Sequence, residues 1–188
     1  MQYLEDLPLA ETAAVLLVDH QHGIAENAQT ADHNTVDKNA ARLAKAAQIF
    51  GMPLVVSVVG LRGTPELTHE LRAALGDDVT LHERSGTDSL DDPTIAGLLK
   101  ETGRTTLLIA GIVTEIAVQR PALSGARHGY RVQVVLDASN GRSERSEQAA
   151  LMRMTAAGVE LTSIPAILGE LARDFGDPRV RELFALMA

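Results

Sequence analysis

Short runs of Val, Ile and Leu alternate along this chain with longer segments whose apolar residues recur every three or four positions. The short runs, Ala13–Asp19, Pro53–Val59, Val79–His82, Thr105–Ala110, Arg131–Asp137 and Val159–Ser163, predict six strands. They are apolar throughout rather than alternating, as expected of strands covered on both faces. Between them, Thr35–Phe50 sets Val36, Ala40, Leu43 and Ala47 on one helical stripe and stops at Gly51. Pro65–Leu75 predicts a short helix. Asp92 followed by Pro93 combines a capping carboxylate with a first-turn proline and opens a helix that runs to Thr102 and ends at Gly103. Thr114–His128 and Glu144–Ala157 predict helices closed by Gly129 and Gly158, and Ala166–Asp174 and Pro178–Leu186 predict two more. Regular strand–helix alternation means a parallel sheet with helices on both faces. The expectation is an α/β, three-layer doubly wound fold: six parallel strands in the order 3-2-1-4-5-6.

The 188 residues hold no linker, repeat or low-complexity stretch, so one domain over residues 1–188 is expected. Composition narrows the function. Hydrophobic residues are 45% and aromatics 3%, with no Trp, so the core is aliphatic. The net charge of −8 and the lack of any Lys/Arg run argue against a nucleic-acid partner. No apolar stretch is long enough to span a bilayer, and the first residues are acidic where a secretion signal is basic, which points to the cytoplasm. With no Cys, the chain has neither a disulfide nor a thiol nucleophile.

In a doubly wound sheet, ligands bind beyond the carboxyl ends of the strands where strand order reverses. Here that crevice lies between the first and fourth strands, flanked by Asp19-His20-Gln21-His22 and by Gly111–Ala117. Asp19 ends an otherwise apolar strand, as a loop cap or as a pKa-tuned acid/base. Gly111 permits a sharp turn, Thr114 can cap the following helix, and the N–H groups of that helix's first turn make an oxyanion site or an ordinary strand-to-helix turn. His20 and His22 form an H-x-H pair with no third ligand in view, so no metal site is expected. Ser85, Ser124 or Ser139 could enter a Ser-His-Asp triad on paper, but no G-x-S-x-G elbow exists, and G-x-G-x-x-G and Walker A loops are absent. Arg84 follows the third strand, whose end reaches the same edge. The charged stretch Arg142–Glu147 reads as a solvated helix start.

The segments Leu16–Gln21 (LLVDHQ), the residues around Arg84 (HERSGTDSL), Gly111–Val118 (GIVTEIAV) and Gly129–Ala138 (GYRVQVVLDA) resemble, in order, the isochorismatase-like cysteine hydrolases, most of all their YcaC-like branch. The resemblance spans residues 10 to about 165 and implies the six-stranded fold argued above. It implies a small-molecule amide or related C–N substrate, no cofactor and a homo-oligomer. The C-terminal helix, with Val180, Leu183, Phe184 and Met187 on one face, reads either as a lid on its own core or as an interface. By the resemblance, Asp19 is the general acid or base, Arg84 stabilises charge and orients Asp19, and Gln21, Ile112, Val113 and Thr114 surround the substrate. It implies a non-proline cis bond at Ile112–Val113, with the N–H groups of Val113 and Ala117 aimed at an oxyanion. If that frame holds, the Arg84 guanidinium lies within hydrogen-bond reach of the Asp19 carboxylate.

The family's nucleophilic Cys aligns with Ala117, whose methyl cannot attack a carbonyl. Three readings are open: an introduced Cys-to-Ala substitution, a thiol-free hydrolase using Asp19 as general acid (as in vinyl-ether cleavage by isochorismatases), or a ligand-binding pseudoenzyme.

Overall fold

The computed structural model describes residues 9–60 and 65–187. Six strands, β1 (Ala13–Val18), β2 (Leu54–Val59), β3 (Leu81–Arg84), β4 (Thr106–Gly111), β5 (Arg131–Val135) and β6 (Glu160–Thr162), form one all-parallel sheet in the order 3-2-1-4-5-6. This is the architecture expected from the strand–helix alternation.

Around the sheet lie α1 (Leu9–Thr12), α2 (His22–Ala25), α3 (His33–Phe50), α4 (His69–Leu75), α5 (Pro93–Glu101), α6 (Gln119–Arg127), α7 (Glu144–Ala156), α8 (Ile164–Leu171) and α9 (Pro178–Ala185). Every residue of β1 is buried, and its side chains alternate between two cores. Val15 and Leu17 pack with Leu43 of α3, Leu168 of α8 and Leu183 of α9. Leu16 and Val18 pack with Leu99 of α5, Ala122 of α6 and Met154 of α7. A strand buried on both faces therefore carries no polar residue until it reaches the sheet edge, where Asp19 stands.

Several boundaries differ from the sequence reading, each for a local reason. The helix expected over Pro65–Leu75 begins only at His69, because Leu67 is drawn into an antiparallel bridge with Gln21. Its first free N–H groups are capped from α3, where Asp37 accepts hydrogen bonds from Glu70 N (2.9 Å) and Leu71 N (3.0 Å). The third strand lies two residues later than Val79–His82, because it pairs through Arg84 with Val59. The helix expected from Thr114 opens instead as a π-turn, Thr114–Val118, before α6. The fifth strand stops at Val135, and Leu136–Ala138 forms a 3₁₀ turn. The eighth helix starts at Ile164, two residues before Ala166, with Pro165 in its first turn. The short helices α1 and α2 were not expected.

The C-terminal helix divides the apolar face read from its sequence. Val180 and Leu183 are buried in the core, while Phe184 and Met187 remain exposed, and Phe184 stacks on the exposed Phe175 with ring centroids 6.0 Å apart. Among the described residues, no helix is long and apolar enough to cross a membrane.

Candidate active site

The crevice forms where β1 and β4 part at their carboxyl ends. β1 delivers Asp19 in a left-handed backbone conformation (φ 55°). That is an uncommon geometry for a residue with a side chain, and Asp tolerates it better than most. The Asp19 N–H donates to Ser57 O on β2 (2.9 Å), and the Asp19 carbonyl accepts from Gln21 N (2.7 Å), so the turn is held from both sides. The carboxylate then meets Arg84 at the end of β3. Nη1 donates to Oδ1 and Nη2 to Oδ2, both at 2.7 Å, with the two side chains 2% and 6% exposed. A buried fork-to-carboxylate pair of this kind fixes geometry as well as charge.

Ser57, the one polar residue of the β2 run LVVSVV, supports both partners. Its carbonyl takes the Asp19 N–H, and its hydroxyl accepts from Arg84 Nη1 (3.2 Å) and from Ser89 Oγ (3.2 Å). Arg84 Nε is buried without a hydrogen-bond partner among the described residues. Burial pushes the Asp19 carboxyl above its ordinary range, against the downward pull of the Arg84 guanidinium.

The opposite wall comes from β4. Gly111 has no left-handed φ to explain it; a side chain there would instead collide with the Val18 carbonyl of β1. Ile112 N donates to that same carbonyl (3.0 Å), and the Ile112–Val113 peptide is cis. The Ala117 N–H does not face the crevice freely, since it closes on Val113 O (2.8 Å) inside the π-turn; Thr114 N bonds Asn140 O (3.0 Å). The Val113 N–H makes no hydrogen bond among the described residues. The Ala117 methyl is 3% exposed and lines the cavity.

Asp19, Gln21, Arg84, Ile112, Val113 and Ala117 all line one cavity of about 710 Å³, a size suited to a small organic ligand. Two expected substrate contacts are placed differently. The Gln21 amide is consumed by β2: Nε2 donates to Val59 O (3.0 Å) and Oε1 accepts from Val59 N (2.9 Å). It shapes the wall rather than offering a free amide. Thr114 is buried, lies outside the cavity lining and donates to Glu147 Oε1 (2.7 Å), so it neither faces the crevice nor caps the helix.

The two histidines part company. His22 lines the cavity, whereas His20 is 1% exposed and sits near the Asp37 carboxylate and the Ala110 carbonyl, in hydrogen-bonding geometry with neither. Burial drives the His20 imidazole down to about 4. Among the described residues, no group of three or more His, Asp or Glu side chains is arranged to hold a metal ion.

Asn140, which the sequence reading passed over, staples the rim. Its Oδ1 accepts from Thr30 N (3.0 Å), Thr30 Oγ1 (3.0 Å) and Ala31 N (2.9 Å), and its Nδ2 donates to Ala31 O (3.1 Å). Its own backbone bridges Ile112. The loop after α2 is thereby tied to the cis-peptide turn. A fully buried Asn next to Gly141 was the available signal, but spacing alone does not reveal burial.

Known proteins share the sequence pattern and the fold of this chain. Residues 13–166 match the family model described as the isochorismatase domain. A protein described as the probable hydrolase YcaC of Escherichia coli is 33% identical over 164 residues, covering 87% of this chain and 79% of the relative. The crystal structure of the E. coli YcaC product, described as an octameric hydrolase of unknown specificity, superposes with a TM-score of 0.88 at 31% identity, covering 99% of this chain and 92% of that one. YcaC from Pseudomonas aeruginosa, solved with hexane-2,5-diol and covalent acrylamide, also gives 0.88, at 29% identity over 100% of this chain and 92% of that one.

Proposed function

Because the chain belongs to the isochorismatase family of hydrolases, we propose that its crevice takes a small amide or related C–N compound, with the carbonyl carbon over Ala117 and the leaving nitrogen toward Asp19. The observation that carries this reading is the buried bidentate Asp19–Arg84 pair on the floor of the 710 Å³ cavity, beside position 117. In a thiol-bearing form, the sulfur at 117 would bond to the carbonyl carbon while its proton passes to Asp19. Asp19 would return that proton to the departing nitrogen, and water would then cleave the thioester. Arg84 holds the carboxylate in line and balances its charge at each stage. The P. aeruginosa YcaC structure holds covalent acrylamide, itself a small amide, which supports small amides as the class to test first.

A second reading is favoured by the upward shift of the Asp19 carboxyl. A carboxyl that keeps its proton to higher pH is available as a general acid over a wider range, and the chain as it stands would then act without a covalent step. We also propose a homo-oligomer, since the E. coli YcaC structure is described as octameric and Phe175, Phe184 and Met187 are exposed here.

The deciding experiment is Ala117→Cys, assayed on a panel of small amides and treated with iodoacetamide. Amide turnover, together with alkylation of the new thiol that removes it, supports the covalent reading. A rapidly alkylated thiol with no turnover on any amide overturns it. Turnover by the unsubstituted chain that Asp19→Asn abolishes favours the acid-only reading.

A further inference from the structure

The floor of the cavity is electrically closed: the Asp19 and Arg84 charges answer each other through two hydrogen bonds. Its rim is not. Arg142 lines the cavity, is exposed, and its guanidinium makes no ion pair or hydrogen bond among the described residues. Its backbone, by contrast, is pinned. Arg142 N donates to Glu115 Oε1 (3.1 Å), which also accepts from Ser146 Oγ, and the preceding residues are held by the Asn140 staple and by Gly141 N on Thr30 Oγ1 (2.8 Å). A long cationic arm with a fixed base and a free head is what a rim group needs to meet an anion with little ordering cost.

We propose that Arg142 is a specificity residue that selects substrates bearing a carboxylate a few bonds from the scissile carbonyl; this rests on the reading of the cavity as an amide site. Position carries the argument. Asp19 follows β1, Ala117 lies in the turn after β4, and Arg142 follows β5, the next strand over. The Arg142 backbone is bonded to the Glu115 side chain, two residues from Ala117, and both Arg142 and Ala117 line the cavity. Among the described lining residues the exposed acidic group is Glu66, whose backbone carbonyl accepts (3.1 Å) from the N–H of His22 on the segment after β1. A carboxylate beside Arg142 meets a guanidinium that no other group among the described residues has neutralised. Ile24, Ile112, Val113 and Ile116 supply apolar walls for a short carbon skeleton. The site thus fits a small monoamide of a dicarboxylic acid better than its neutral diamide.

The test uses the unsubstituted chain, which has no thiol to consume the ligand. Isothermal titration calorimetry compares the monoamides of malonate, succinate and glutarate with the corresponding diamides, for this chain and for Arg142→Gln. At least one monoamide is expected to bind about tenfold more tightly than its diamide, the scale of one charge-assisted contact. Arg142→Gln should remove that preference, as should 0.5 M salt, while leaving diamide binding unchanged. Equal binding of the mono- and diamides, or a preference that survives Arg142→Gln, overturns the carboxylate subsite and leaves the amide site standing. No binding by any of the six compounds removes both.

Discussion

The Arg84 guanidinium grips the Asp19 carboxylate through two parallel hydrogen bonds of 2.7 Å, from the end of β3 across β2 to the end of β1. The strand crossed supplies the brace, Ser57, which touches the backbone of one partner and the side chain of the other. Neither partner is stable alone in this setting, because each would be a buried unpaired charge.

Arg84→Ala is therefore expected to cost about 3–5 kcal/mol, measured by urea unfolding at pH 7. The loss should depend on pH. Removing Arg84 removes both influences that hold the Asp19 carboxyl down and leaves desolvation to raise it further. A group whose folded pKa lies above its unfolded value costs stability as pH rises through the folded pKa, so the gap to the parent chain should narrow on acidification toward pH 4. A gap that is constant from pH 4 to 8 would show that Arg84 acts through packing alone. Arg84→Lys keeps the charge but not the fork and should fall between the two.

His20 sets a second pH dependence of the opposite kind. Its imidazole titrates near 4 in the folded chain and near 6.5 in the unfolded one, with Asp37 the facing charge. Between these values only the unfolded chain takes up the proton, so stability is complete above about pH 6.5 and declines as pH falls toward 4. At about 1.4 kcal/mol per unit, the whole decline attributable to this residue is about 3 kcal/mol. His20→Leu should flatten the stability profile over that interval, whatever it does to stability at pH 7. An unchanged slope would exclude His20 as its source.

The rim staple makes a local prediction. Asn140→Ala would leave Ala31 N and Ala31 O without their partner and Thr30 N with only its longer bond to Gly141 O (3.3 Å), a cost of about 1–3 kcal/mol for part-buried polar groups. Asn140→Asp keeps the acceptor for Thr30 and Ala31 but sets a carboxylate oxygen against the Ala31 carbonyl, and should cost less. Hydrogen exchange should speed up at residues 27–31 and 112–114 well before it does in β1. Uniform acceleration across the sheet would mean that Asn140 supports global stability rather than the rim.

The sheet was legible because it obeys a simple constraint. A strand covered on both faces must be apolar from end to end, as β1 and β4 are, and their polar neighbours therefore mark the edge. Asp19 and Arg84 could be paired for that reason, together with the family resemblance. What stayed hidden depends on neighbours distant in sequence. The start of α4 is fixed by Asp37, some thirty positions away, and by the bridge of Leu67 to Gln21. Gln21 and Thr114 looked available to a substrate, but strand β2 and Glu147 had already taken their hydrogen bonds. Arg142 read as part of a solvated helix start, since nothing local shows that the turn after β5 bends over the crevice.

Gly111 shows the same limit and yields the last prediction. Sequence suggested a glycine needed for a sharp turn, yet its backbone is not left-handed. The reason is proximity: an added Cβ would strike the Val18 carbonyl, and the Val18 and Val118 side chains stand close by at 2.9 and 3.1 Å. The carbonyl belongs to the central strand, which accepts Ile112 N at the same oxygen, so it cannot move aside without opening the crevice wall. Gly111→Ala is thus expected to destabilise by about 3 kcal/mol, the upper range for overpacking against backbone. Gly97 lies within helix α5 with nothing near its Cβ position. Gly97→Ala should therefore stabilise by about 0.5–1 kcal/mol through helix propensity. Thermal melts of the two variants should move in opposite directions. If Gly111→Ala melts with the parent chain, β1 and β4 are not held as closely at the crevice as the Val18–Gly111 register requires.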